Sequence, residues 1–228
     1  MKWILVLVFI FALLDWFATA KEYKRLEYFV KPATMIALIA WVGTSMMATG
    51  TNSNNLNWFV VGLVLCLFGD IFLMLPPEKW FLPGLVAFLL GHVAYILGFR
   101  VTSITEGTAI PTILLVLVLV VVGIGVFRRL RAGLIASSKK KLILPVGIYS
   151  IVISYMVFSA AFSFLSPEWT TAHAYLVAFG ALLFYVSDIL NAWGRFVFSF
   201  ENARLIVMVT YHLGQIGLAL GATLHFLG

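Results

Sequence analysis

Apolar residues run through the chain in long stretches separated by short polar breaks. They predict spans at 3–20, 30–48, 57–75, 81–101, 109–127, 142–165, 171–194 and 204–226. Each is close to the ~20 residues that carry a helix across a bilayer core of ~30 Å. The runs are continuously apolar and lack the two-residue alternation and aromatic girdles of an outer-membrane strand, so the spans are read as helices. The expected fold class is all-α: a polytopic transmembrane helical bundle of eight spans, with residues 1–228 forming a single transmembrane domain.

Composition excludes the soluble alternative. Of 228 residues 63% are hydrophobic and 11% charged, against roughly 25% charged in a soluble domain. Thirteen of the 15 Lys and Arg residues fall in alternate connections, among them Lys21, Lys24, Arg25, Lys31 and the run from Arg128 to Lys141; Lys2 and Arg100 lie on the other side. Basic residues collect in loops retained in the cytoplasm, so both termini are expected outside it, most simply in a bacterial inner membrane. The net charge of +6 then records topology, and no nucleic-acid partner is expected. The first 20 residues imitate a secretory signal, but Asp15 and Trp16 interrupt the apolar run, so a retained span is expected. The single cysteine, Cys66, excludes an internal disulfide and a cysteine-based metal cage.

Three charges remain inside the spans: Asp15, Asp70 and Asp188. An ionisable group there costs roughly 2.5–3.5 kcal/mol on insertion scales and is a functional hypothesis by default. Counted from the basic ends of their spans, all three lie about 8–10 Å deep, on one level. Asp15 has a sufficient explanation in a snorkelling ion pair with Lys21. Asp70 follows Gly69 in an otherwise apolar helix, so its partners must come from other helices. Asp188 sits among Tyr185, Ser187 and Asn191, of which Tyr185 and Asn191 share its helix face and can hydrogen-bond it.

Spans 4 and 8 add His92 with Tyr95, and Tyr211, His212 and Gln215. GDIFLM followed by His92 echoes SDILNA followed by His212, a faint parallel 4+4 repeat that would bring one aspartate from each half to the same leaflet. The plainer account of the two histidines is an interhelical hydrogen bond. GxSxG, P-loop and dinucleotide motifs are absent, as is HExxH. Two other classes remain open. One is a proton-coupled transporter using Asp70 and Asp188 as relay carboxyls; the other is a metal-dependent membrane lipid amidase built on His92, His212 and Asp188.

Lys31-Pro32, Gly69-Asp70, His92 with Tyr95, Tyr185 through Ser187-Asp188, and Tyr211 with Gln215 occur in an order and spacing that resembles the YhhN family of lysoplasmalogenases. The resemblance implies eight spans and hydrolysis of the vinyl ether bond of a lysoplasmalogen, giving a fatty aldehyde and glycerophosphocholine or glycerophosphoethanolamine. It implies Asp70 and Asp188 as the catalytic pair. Asn191 and His212 are not part of the pattern. Vinyl ether hydrolysis needs one acid and one base, which two facing carboxyls in a low-dielectric site can supply. Asp70 is expected as the acid because its helix is the more apolar, and Asp188 as the base. Lys31 at the start of span 2, with Arg195, is expected to meet the lysophospholipid phosphate. His92, Tyr95, Tyr185, Asn191, Tyr211 and Gln215 complete the candidate substrate-binding set. This mechanism demands no metal and no organic cofactor.

Overall fold

The structure is a computed structural model describing residues 2–101 and 104–228. Eight α-helices follow one another: α1 (Lys2–Ala20), α2 (Lys24–Thr49), α3 (Asn54–Met74), α4 (Pro77–Phe99), α5 (Glu106–Ala136), α6 (Ile143–Phe162), α7 (Thr171–Phe196) and α8 (Ala203–Leu227). Each is long and apolar enough to cross a membrane, and no strand occurs among the described residues. The protein is a multi-pass membrane protein with an all-α fold.

Close packing of α7 on α8 sets one wall of the bundle. A Cβ built on Gly180 would stand 2.6 Å from the backbone nitrogen of Leu218, and one on Gly214 would stand 2.8 Å from that of Phe184. Without side chains at these positions the two backbones come into contact, the usual way of gaining dispersion energy where lipid removes the hydrophobic drive. The core then fills with Met35, Leu38, Phe59, Leu63, Tyr95, Met156, Phe184 and Leu218, all nearly or fully buried.

Two helices run further than their hydrophobicity alone predicts. α5 continues through Arg128, Arg129 and Arg131 to Ala136, so most of the expected 128–141 loop is helix, followed by a 3₁₀ turn at Lys140–Leu142. Arginine is a good helix former once its head reaches water. Leu130 and Leu134, buried against Val146 and Phe196, hold the extension in place. α2 starts at Lys24 rather than near residue 30, and that shift matters for Lys31.

Candidate active site

The buried stripe of α3 repeats every three or four residues through Phe59, Gly62, Leu63, Cys66, Gly69 and Asp70, so the aspartate occupies a core position on a core-facing helix. Its carboxylate is held from two other helices. Lys31 Nζ of α2 stands 3.0 Å from Oδ1, and the Tyr211 hydroxyl of α8 donates to Oδ2 at 2.5 Å. The sequence places Lys31 at the end of its span. Because α2 begins at Lys24, seven residues before Lys31, the ammonium lies about 10 Å along the helix, level with the aspartates.

Asp188 of α7 has its own pair of partners. Tyr149 of α6 donates its hydroxyl to Oδ2, and His92 Nε2 of α4 approaches the same oxygen at 3.3 Å and the Tyr149 oxygen at 2.9 Å. With the tyrosine proton committed to the carboxylate, His92 carries its proton on Nε2, which leaves Nδ1 buried without a partner among the described residues. The expected supports for Asp188 turn elsewhere. The Tyr185 hydroxyl lies 3.2 Å from Ser154 Oγ, and Asn191 Oδ1 accepts from Arg195 Nε at 3.1 Å.

Asp70 and Asp188 line one narrow cavity of about 90 Å³ together with Lys31, Tyr149, Tyr185 and Tyr211. Asn191 and Arg195 stand at its mouth, shared with a wider vestibule of about 490 Å³ that Lys24, Glu27, Tyr28 and Arg204 complete. Arg204 is already engaged there by both oxygens of Glu27, each at 2.8 Å. Tyr95 and Gln215 lie behind the cavity. Tyr95 donates to Gln215 Oε1 at 2.6 Å and Gln215 Nε2 approaches the Tyr211 oxygen at 3.5 Å, forming a chain that ends on Asp70.

A model of the YhhN family matches residues 26–222. The chain belongs to the YhhN family. Among its relatives, mouse lysoplasmalogenase TMEM86B is 28% identical over 193 residues, covering 84% of this chain and 72% of that protein. The human TMEM86B lysoplasmalogenase is 28% identical over 70% of this chain and 61% of its own length. The Mycobacterium tuberculosis (strain CDC 1551 / Oshkosh) lysoplasmalogenase is 28% identical over 72% of this chain and 59% of its own. No solved structure matches.

In this YhhN chain two sequence expectations need correction. Asp15 does not snorkel to Lys21: it is wholly buried, because α1 packs that face inward. Its nearest cationic candidate, His212 Nδ1, is 4.0 Å away and accepts the Trp16 indole N–H at 3.1 Å, so no ion pair forms. His212 thus has its polar contacts with Trp16 and Asp15, while His92 has its own with Tyr149 and Asp188. Among the described residues no three His, Cys, Asp or Glu side chains are placed so that they could hold a metal ion together. Tyr149 is not among the residues that the sequence singles out, although it lies six residues into α6, at the same depth as the aspartates.

Proposed function

We propose that this protein is a lysoplasmalogenase, an ether hydrolase that cleaves the vinyl ether bond of lysoplasmalogens by paired carboxyl chemistry. The observation that carries the reading is the meeting of Asp70 and Asp188, from different helices, at one narrow cavity that opens into a basic vestibule. The family's lysoplasmalogenase relatives support it. In this reading the basic connections face the cytoplasm and both termini lie outside.

The roles of the two acids exchange relative to the expectation from helix polarity. Asp70 is the anion, held by the Lys31 ammonium and the Tyr211 hydroxyl, because an ion pair of this kind favours the charged carboxylate. Asp188 is the proton carrier: among the described residues no Lys or Arg pairs with it, and with Oδ2 taken by the Tyr149 and His92 donors the proton sits on Oδ1 of a side chain that is 17% exposed. Asp188 gives its proton to the β-carbon of the vinyl ether, and an oxygen lone pair forms the second C–O bond of an oxocarbenium ion. The fixed charge of Asp70 stabilises that cation. Water adds to the α-carbon and returns one proton to Asp188. The hemiacetal then breaks its bond to the glycerol oxygen, which takes the hydroxyl proton, releasing the aldehyde and the glycerophospho-headgroup. Lys24 and Arg195 line the vestibule where the phosphate would rest.

The test is aldehyde release from lysoplasmalogen by the purified protein. Asp70→Asn and Asp188→Asn should each lose at least roughly 10²-fold in turnover, the scale of an acid or base. Near-wild-type turnover in both variants would sink the mechanism, and no aldehyde from the wild type would sink the function.

A further inference from the structure

The middle of α5 packs on almost nothing. Of its 31 residues only Thr112, Leu130 and Leu134 are buried. The basic end is pinned tightly, since a Cβ on Gly133 would lie 1.8 Å from the Phe196 carbonyl oxygen. Between Thr112 and Phe127 the helix stands away from α6 and leaves a groove of about 680 Å³, a size typical of small-molecule sites. The groove is apolar. Val116, Val120, Ile124, Ile151, Tyr155 and Phe158 form much of it. Two serines in its wall point their hydroxyls at their own helix, Ser150 to the Val146 carbonyl at 2.8 Å and Ser154 to the Ser150 carbonyl at 2.7 Å.

The groove joins the catalytic cavity, because Gly123 and Ser150 line both. A side chain at Gly123 would project into that junction, its Cβ 3.6 Å from Ser154 Oγ and 4.0 Å from the Tyr185 hydroxyl. From the junction the groove runs away from the basic end, along α5 towards Thr112 and along α6 towards Phe158. Those stretches correspond to about 12–16 Å of helix, against the ~15 Å that one leaflet contributes to the hydrocarbon core.

We propose that the α5–α6 groove is the subsite for the single hydrocarbon chain of the lysolipid. The chain enters between these helices, the vinyl ether stops at the junction beside Asp188, and the headgroup occupies the basic vestibule. This rests on the lipid-hydrolase reading of the same cavity. Continuity of an apolar groove, a narrow acidic cavity and a cationic vestibule matches a one-chain amphiphile, whereas a second protein copy or bulk lipid would need no connection to the cavity.

The experiment uses a lysophosphatidylcholine with a diazirine near the end of its chain, added to the full protein in phospholipid nanodiscs. Labelling is expected within residues 112–127 and 147–158, and excess unlabelled lysoplasmalogen should suppress it. Val120→Trp should reduce labelling there and lower the ratio of long-chain to short-chain lysoplasmalogen hydrolysis by at least roughly tenfold, since the indole fills the space that the far end of a long chain needs and a short chain does not. Should that variant fail to fold, Ile151→Trp on the facing wall serves the same purpose. Uniform labelling of lipid-facing helices, labelling confined elsewhere, a dimer cross-linked through α5, or an unchanged chain-length ratio would each overturn the proposal. Competed labelling at the groove without any aldehyde release would uphold the subsite and sink the hydrolase reading.

Discussion

Lys31 of α2 and Asp70 of α3 meet with 3.0 Å between Nζ and Oδ1, both almost wholly withdrawn from the surface. Asp188 answers this pair on the other side of the cavity. Asp70 takes its partners from α2 and α8, Asp188 from α6 and α4. Each position of one set finds its counterpart in the other, four helices away, α2 with α6, α3 with α7 and α8 with α4, as two parallel halves would arrange it. The counterparts differ in chemistry: an ammonium faces Asp70 where a tyrosine hydroxyl faces Asp188. In the proposed mechanism that difference separates a fixed anion from a proton carrier.

Lys31→Met should therefore cost both stability and turnover. Removing one member of a buried ion pair leaves an uncompensated charge, a loss of about 3–5 kcal/mol. We expect a clear drop in Tm and at least roughly 10²-fold lower kcat. The double variant Lys31→Met with Asp70→Asn should recover most of the Tm and none of the activity. An unaltered Tm for Lys31→Met would contradict the pairing.

The tyrosines give a sharper comparison. Tyr211→Phe removes a hydroxyl donating to the Asp70 carboxylate, and Tyr149→Phe one donating to Asp188, which becomes a carboxylate as its proton leaves; a hydrogen bond to the charged group is worth about 1.5–3 kcal/mol, roughly 10- to 150-fold in kcat. Tyr185→Phe removes a hydroxyl that meets only Ser154 Oγ, so its loss should be smaller by about tenfold, because a neutral pair is worth ~0.5–1.5 kcal/mol. Steady-state aldehyde release on the three variants decides it. Equal losses would restore Tyr185 to the role its helix face suggested.

That contrast marks where the sequence is legible. Hydrophobic runs locate all eight helices, because the bilayer makes length and apolarity decisive, and the cost of an intramembrane charge isolates Asp70 and Asp188. Lys31 looked like a surface residue because α2's first turn, with Lys24, Arg25 and Glu27, is too polar to count as membrane span. Helix faces suggested Tyr185 and Asn191 as partners of Asp188, but a helix neighbour three residues away competes with groups on facing helices. Tyr149 and His92 arrive from α6 and α4, and no spacing within α7 could announce them. Asp15 illustrates the same limit, since burial in α1 depends on the helices that cover it.

The α7–α8 contact predicts an asymmetry among glycines. Gly214→Ala would place a Cβ 2.8 Å from the Phe184 backbone nitrogen and 2.9 Å from the Gly180 carbonyl oxygen, neither of which can swing aside. A loss of about 1–3 kcal/mol is expected, read as a lower Tm with weakened activity, since Tyr211 and Asp188 sit on these helices. Gly107→Ala, with nothing within 4 Å in the first turn of α5, should leave Tm equal or slightly raised because alanine is the better helix former. If Gly214→Ala melts like Gly107→Ala, the helices do not approach as described.

Arg195 and Arg204 share the vestibule and should behave differently towards substrate. Both oxygens of Glu27 engage Arg204, whose side chain is 57% exposed. Glu27 itself is buried, so Arg204→Gln leaves its carboxylate short of a partner at a cost of about 1–3 kcal/mol and should lower Tm while changing KM little. Arg195 uses its Nε on Asn191 and lies over the Phe81 ring, 5.5 Å from its centroid, at the mouth common to cavity and vestibule. A phosphate there would gain a charge-assisted hydrogen bond of about 1.5–3 kcal/mol. Because the phosphate remains unchanged while the vinyl ether reacts, that energy is uniform binding, and Arg195→Gln should raise KM at least about tenfold with kcat nearly constant. A fall in kcat at constant KM would instead place the guanidinium's effect on the reacting ether.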